Sequence, residues 1–154
     1  MGVTVRVNEI EHEVAAHERS PLLWVLRGEL NCASAKYGCG AEQCGACCVL
    51  VDGMPAFSCS VTAGEVSGRD VATLEGLVAD GRAAPVVEAM VARDAGQCGY
   101  CLPGIVVTLT ALQERSAAPT ADDVVRALDD HLCRCGSQPR ILAAAYAALG
   151  IADD

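Results

Sequence analysis

Cysteines carry the chemistry of this sequence: there are ten, and eight of them fall into two separate ligand patterns. Cys39, Cys44, Cys47 and Cys59 lie within YGCGAEQCGACCVLVDGMPAFSC. Their C-x4-C-x2-C…C spacing is that of a plant-type [2Fe–2S] site, in which four thiolates converge on two irons. Cys98, Cys101, Cys133 and Cys135 form the second set, from QCGYC and LCRCG. Two one-electron centres in a chain of 154 residues predict an electron relay rather than a single store.

The neighbouring residues fit that chemistry. Gly38, Gly40 and Gly45 would let the first loop bend so that amides face the sulfurs. A zinc site is the alternative for each set. Zinc held by four cysteines usually shows two tight C-x2–4-C pairs, which the glycine-rich first loop and the isolated Cys59 fit poorly. The C-x2-C…C-x-C spacing of the second set is compatible with zinc, although C-x-C is tight for a tetrahedral ion. Helix N-termini beside this set would favour an anionic cluster. Cys32 and Cys48 remain over and read as buried thiols acting as small hydrophobes. His12, His17 and His131 have no partner spacing and read as surface or packing residues. No nucleophile–base pair, phosphate-binding loop or paired-carboxylate site accompanies them.

The elements that must position these thiols divide the chain in two. Val3, Val5 and Val7, then Ile10 and Val14, alternate with polar residues and predict a hairpin about Asn8-Glu9. Ser20-Pro21 opens a helix carrying Leu22, Leu23, Val25, Leu26 and Leu30. A strand at Cys48–Val51, a turn at Asp52-Gly53, a strand running into Cys59 and a short one at Val71–Leu74 complete a small α+β sheet domain. A hinge is expected over Glu75–Ala84. Beyond it, segments 85–95, 104–115, 121–132 and 139–149 carry helical periodicity. They repeat an order of helix, cysteine pair, proline, helix. Two such helical hairpins would gather four thiolates at one end of a four-helix bundle.

Composition narrows the functional classes. A net charge of −9 leaves no basic patch for nucleic acid. The start MGVTVRVNEI has the features of neither a signal peptide nor a membrane span. With that start, so many cysteines predict a cytoplasmic metalloprotein rather than a disulfide scaffold.

The runs LRGELNCASAKYGCGAEQCGACCVLVDG, TLEGL, QCGYCLPG and LCRCGSQPRI resemble the iron–sulfur small subunit of molybdenum hydroxylases of the xanthine dehydrogenase family, over nearly the whole chain. The form most resembled is the free-standing small subunit of nicotinate dehydrogenase and isoquinoline 1-oxidoreductase. The resemblance implies a β-grasp ferredoxin-like domain over residues 1–76 and an all-α four-helix domain over 77–154. It implies two [2Fe–2S] clusters, with Cys39, Cys44, Cys47 and Cys59 as metal ligands of the outer one. Cys98, Cys101, Cys133 and Cys135 would hold the inner one, nearest the pterin. A large partner subunit would hold molybdopterin cytosine dinucleotide and hydroxylate the substrate with oxygen from water. Gln97 and the neighbourhood of Cys135 would contact that cofactor, and an FAD-binding or cytochrome c subunit would accept the electrons. An N-heteroaromatic substrate is expected. The alternatives are an aldehyde-oxidising complex and a free-standing ferredoxin-like carrier. Ser34, Cys48, Leu102 and Asn8-Glu9 depart from the family pattern; Glu9 in place of glycine predicts a hairpin turn of another type.

Overall fold

Val3–Val7 (β1) and Ile10–Val14 (β2) pair antiparallel, with Val5 and Val7 on the buried face. The computed structural model describes residues 2–152. Met1, Asp153 and Asp154, the ends of the two expected domains, lie outside the described residues. The turn between β1 and β2 places both Asn8 (φ 51°) and Glu9 (φ 68°) in the left-handed region. This corrects the expectation that Glu9 would force another turn type: the primed turn that suits the twist of a hairpin forms with glutamate in it. Asn8 holds the bend in place. Its side chain donates to Thr73 Oγ1 (3.0 Å) and accepts from the Thr73 backbone N–H (2.9 Å).

Leu22–Trp24 (α1) starts after Pro21 and runs on as a π-helical turn over Val25–Glu29. The cysteine-rich loop follows, then Cys48–Val51 (β3), Met54–Phe57 (β4) and Asp70–Ala72 (β5). The five strands form one mixed sheet in the order β2-β1-β5-β3-β4, with β1 and β5 parallel and the other pairs antiparallel. Every residue of β3 is buried because both faces of that strand are covered. Val49 and Val51 join Leu22, Leu23, Leu26 and Val71 on one side, whereas Cys48 and Leu50 join the helices on the other.

The helices are Leu74–Ala79 (α2), Ala84–Ala92 (α3), Leu102–Arg115 (α4), Ala121–Ala127 (α5) and Gln138–Ala148 (α6). The first of these occupies the stretch expected to be a hinge. Leu77 is fully buried in the helical core and anchors it there, a tertiary gain that a six-residue helix needs and cannot show as periodicity. Helix α5 ends at Ala127, five residues short of the expected 132. Past Leu128 the chain turns, and the Leu132 N–H donates to the Cys44 carbonyl at 3.1 Å instead of continuing the helix. Thr120 and Asp123 close a capping box at the start of α5, where the sequence shows its [ST]-x-x-[DE] signature. Ala144 and Ala145 of α6 are fully buried among Val86, Ile105 and Ile141. Small side chains there let helices approach closely in a protein with only 3% aromatic residues.

Candidate functional site

The first set of thiols sits on the loop between the π-helical turn and β3, with Cys59 just beyond β4. Gly40 (φ 66°) turns the loop back under Cys39. The N–H groups of Ala41 and Gln43 then donate to Cys39 Sγ at 3.3 and 3.2 Å, and the Cys39 N–H donates to Cys44 Sγ at 3.3 Å. The donors on Ala41 and Gln43 hold the Cys39 thiol down to about 7. Cys47, buried just before β3, is pushed up to about 12 by loss of solvent. The loop is also tied from outside. Glu75 of α2 accepts hydrogen bonds from the Ser34 hydroxyl and from the Ser34 N–H (2.8 Å), which gives the departure at Ser34 a structural task.

The second set lies at two bends of the helical region. Cys98 and Cys101 are between α3 and α4, and Cys133 and Cys135 are between α5 and α6. Their side chains meet: Cys98 and Cys135 have sulfurs 3.4 Å apart, and Cys101 faces Cys133. Gly99 (φ 75°) and Gly136 (φ 78°) each place a left-handed residue at one of the two bends. The Tyr100 N–H reaches Cys98 Sγ at 3.5 Å and lowers that thiol. Burial pushes Cys101 up to about 12. Burial also raises Cys133, but amide donors from Ser137 and Cys135 outweigh it and leave the thiol below its ordinary value.

These donor sets fit iron–sulfur chemistry: soft sulfur ligands, amide N–H groups aimed at sulfur, and glycine turns that clear the approach. Among the described residues, no three His, Cys, Asp or Glu side chains converge as ligands of a single ion. A cavity of about 360 Å³ lies between the two sets, lined by Cys39 and Cys44 from one and Cys98, Cys101 and Cys133 from the other. Leu132, expected on a helix face, is 58% exposed and lines this cavity instead. Gln97 is exposed beside the second set, where its Nε2 donates to the Cys135 carbonyl at 3.0 Å. It borders an apolar cavity of about 520 Å³ that includes Leu102 and Pro103. Cys32 and Cys48 are both buried and outside the two sets.

The sequence did not mark His131 and Thr108, which meet at the seam between the sets. His131 is 5% exposed, and its Nε2 lies 2.9 Å from Thr108 Oγ1. Thr108 Oγ1 in turn lies 3.3 Å from Cys48 Sγ. Burial drops the His131 imidazole to about 4, so the ring is neutral near pH 7. Its position two residues before Cys133 was the one available signal.

Comparison with known proteins agrees with this geometry. The family described as a [2Fe–2S] binding domain (Fer2_2) matches residues 73–146, the part that holds the second set. One subunit of the nicotinate dehydrogenase of Pseudomonas putida is 40% identical over 92% of this chain and 90% of its own length. The alpha subunit of isoquinoline 1-oxidoreductase from Brevundimonas diminuta is 39% identical over 96% of this chain and 92% of its own. The crystal structure of the aldehyde oxidoreductase from Desulfovibrio desulfuricans superposes on 97% of this chain with a TM-score of 0.87 and 32% identity. This chain spans 17% of that longer polypeptide. The chain therefore belongs to the iron–sulfur small subunits of the xanthine dehydrogenase family of molybdenum hydroxylases.

Proposed function

We propose that this chain is the electron-transfer subunit of a molybdenum hydroxylase. It relays electrons from a molybdopterin cytosine dinucleotide site in a large partner subunit to an FAD or cytochrome c acceptor. Two cysteine sets sharing one cavity carry this reading, because a relay needs its two stations side by side. Each [2Fe–2S] group, when bound, supplies one-electron redox chemistry. Hydroxylation with oxygen from water releases two electrons and two protons, so two stations match the two electrons.

The residues divide the work. Cys39, Cys44, Cys47 and Cys59 hold the outer group on the sheet domain (residues 1–76), which takes the β-grasp form. Cys98, Cys101, Cys133 and Cys135 hold the inner group on the four-helix domain (residues 77–154), and α2 lies across the seam. Amides of Ala41, Gln43 and Tyr100 offset negative charge at the sulfurs. Gln97, at the edge of the inner set, faces the pterin side of the partner. The substrate is an N-heteroaromatic compound, in line with the names of the nicotinate and isoquinoline relatives. The likeness to an aldehyde oxidoreductase supports aldehyde oxidation as the second reading. The location is the cytoplasm, and among the described residues no helix is long and apolar enough to cross a membrane.

Metal analysis of the isolated complex tests the relay: it should give about four irons, and an equal amount of labile sulfide, for each copy of this chain. Zinc with little iron would overturn it. In the complex, Cys135→Ser removes the inner EPR signal and blocks reduction of the outer group by substrate, while dithionite still reduces the outer group. Reduction by substrate at the normal rate would show that the order of the relay is wrong.

A further inference from the structure

The two cysteine sets belong to different parts of the fold, yet a buried chain of polar contacts joins them. Cys48 follows Cys47 directly at the start of β3, and its Sγ lies 3.3 Å from Thr108 Oγ1 on α4. The same oxygen lies 2.9 Å from Nε2 of His131, two residues before Cys133. All three side chains are at least nine-tenths buried. The strand that follows Cys47, the central helix and the second cysteine loop are therefore in direct polar contact.

The other edge of the imidazole closes the joint. A Cβ on Gly45, inside the first loop, would stand 2.1 Å from His131 Nδ1 and 2.6 Å from Cγ, so the ring lies flush on that glycine. Beside it, the Leu132 N–H donates to the Cys44 carbonyl. Nδ1 itself is buried and has no hydrogen-bond partner among the described residues. An apolar side chain would fill this place without leaving a polar atom unmet. A histidine at this place, with one nitrogen used and the other unmet, points to a purpose beyond filling space.

We propose that the Cys48–Thr108–His131 bridge, wedged against Gly45, is the positioning device that fixes the separation of the two cluster sites. His131 and Thr108 are positioning residues: they touch no substrate and act through the cysteines beside them. The inference rests on the two-cluster reading above.

The test uses the intact complex with both groups reduced by dithionite. It records the splitting that each paramagnetic centre imposes on the other's EPR signal, together with iron and sulfide content. Thr108→Val keeps the volume and removes the shared hydroxyl; His131→Gln keeps a polar group for Thr108 and removes the ring from Gly45. With iron and sulfide at the unsubstituted level, the splitting is expected to narrow or vanish in both variants. Should His131→Gln fail to assemble, Thr108→Val decides alone. Unchanged splitting in the iron-replete variants overturns the proposal. An unsubstituted complex with only about two irons per chain would instead sink the two-cluster reading.

Discussion

At the residue scale, the two sets share one arrangement: an exposed thiol supplied with amide donors, and a deeper thiol whose burial outweighs the hydrogen bonds it receives. Cys39 and Cys98 are the exposed members, Cys47 and Cys101 the deeper ones. The first kind is ready to ligate, since thiolate is the form that binds metal. On the proposed two-cluster reading, the second kind loses its proton as metal arrives, so loading should release protons and favour neutral to alkaline conditions. In the cluster-free protein, iodoacetamide should modify Cys39 well before Cys47 or Cys101. With the Cys39 thiol at about 7, its rate should fall by about tenfold between pH 8 and pH 6 as thiolate is lost. Peptide mass spectrometry gives the order, and equal labelling of Cys39 and Cys47 would contradict these environments.

At the element scale, the hairpin turn holds the start of helix α2 through Asn8 and Thr73, and α2 holds the first loop through Glu75 and Ser34. Glu9 occupies a left-handed position that L-residues populate at a cost. Glu9→Gly should therefore raise stability by about 1 kcal/mol, read as a higher denaturation midpoint. Burial opposes ionisation of Glu75, but hydrogen bonds from Ser34 and Thr73 outweigh it and hold the carboxyl below its ordinary 4.5. Its contribution is thus complete above about 4.5 and is lost as the pH falls through the lowered value. Glu75→Gln should lower the urea midpoint more at pH 7 than at pH 3, because the carboxylate's contribution fades as the pH falls through its lowered value. An equal loss at both values would mean that the charge is irrelevant.

At the scale of the whole molecule, α4 joins the two halves. It packs on β3, carries Thr108 into the seam and is capped at its start by Cys101. Its Gly104 sits so close to the first loop that a Cβ there would stand 2.1 Å from the Gly45 carbonyl oxygen. The atom it would meet is backbone, so the clash is relieved only by moving main chain. Gly104→Ala should cost about 1–3 kcal/mol by forcing the helix from the loop, measured as a lower melting temperature of the complex. Tyr100 adds a peripheral tie, its hydroxyl donating to the Tyr37 carbonyl across the same seam. Trp24 stacks on Tyr37 with ring centroids 5.4 Å apart, which places three of the five aromatic residues together on this exposed side.

Much of this protein is local information, and the sequence determined that part by itself. Alternating valines specify strands, Asp52-Gly53 a turn, and the cysteine spacings two grouped sets of thiols, because each depends on neighbours a few residues away. The helical repeat with a cysteine pair at each bend is equally local. Tertiary structure decided the rest. Helix α2 forms because Leu77 finds a core, and α5 stops early because Leu132 finds the Cys44 carbonyl. Glu9 accepts a left-handed turn because Asn8 and Thr73 hold it. His131 reads as one more packing histidine until α4 places Thr108 between it and Cys48 of β3. Contacts between residues tens of positions apart leave no period or spacing to read, and those contacts bring the two cysteine sets to one cavity.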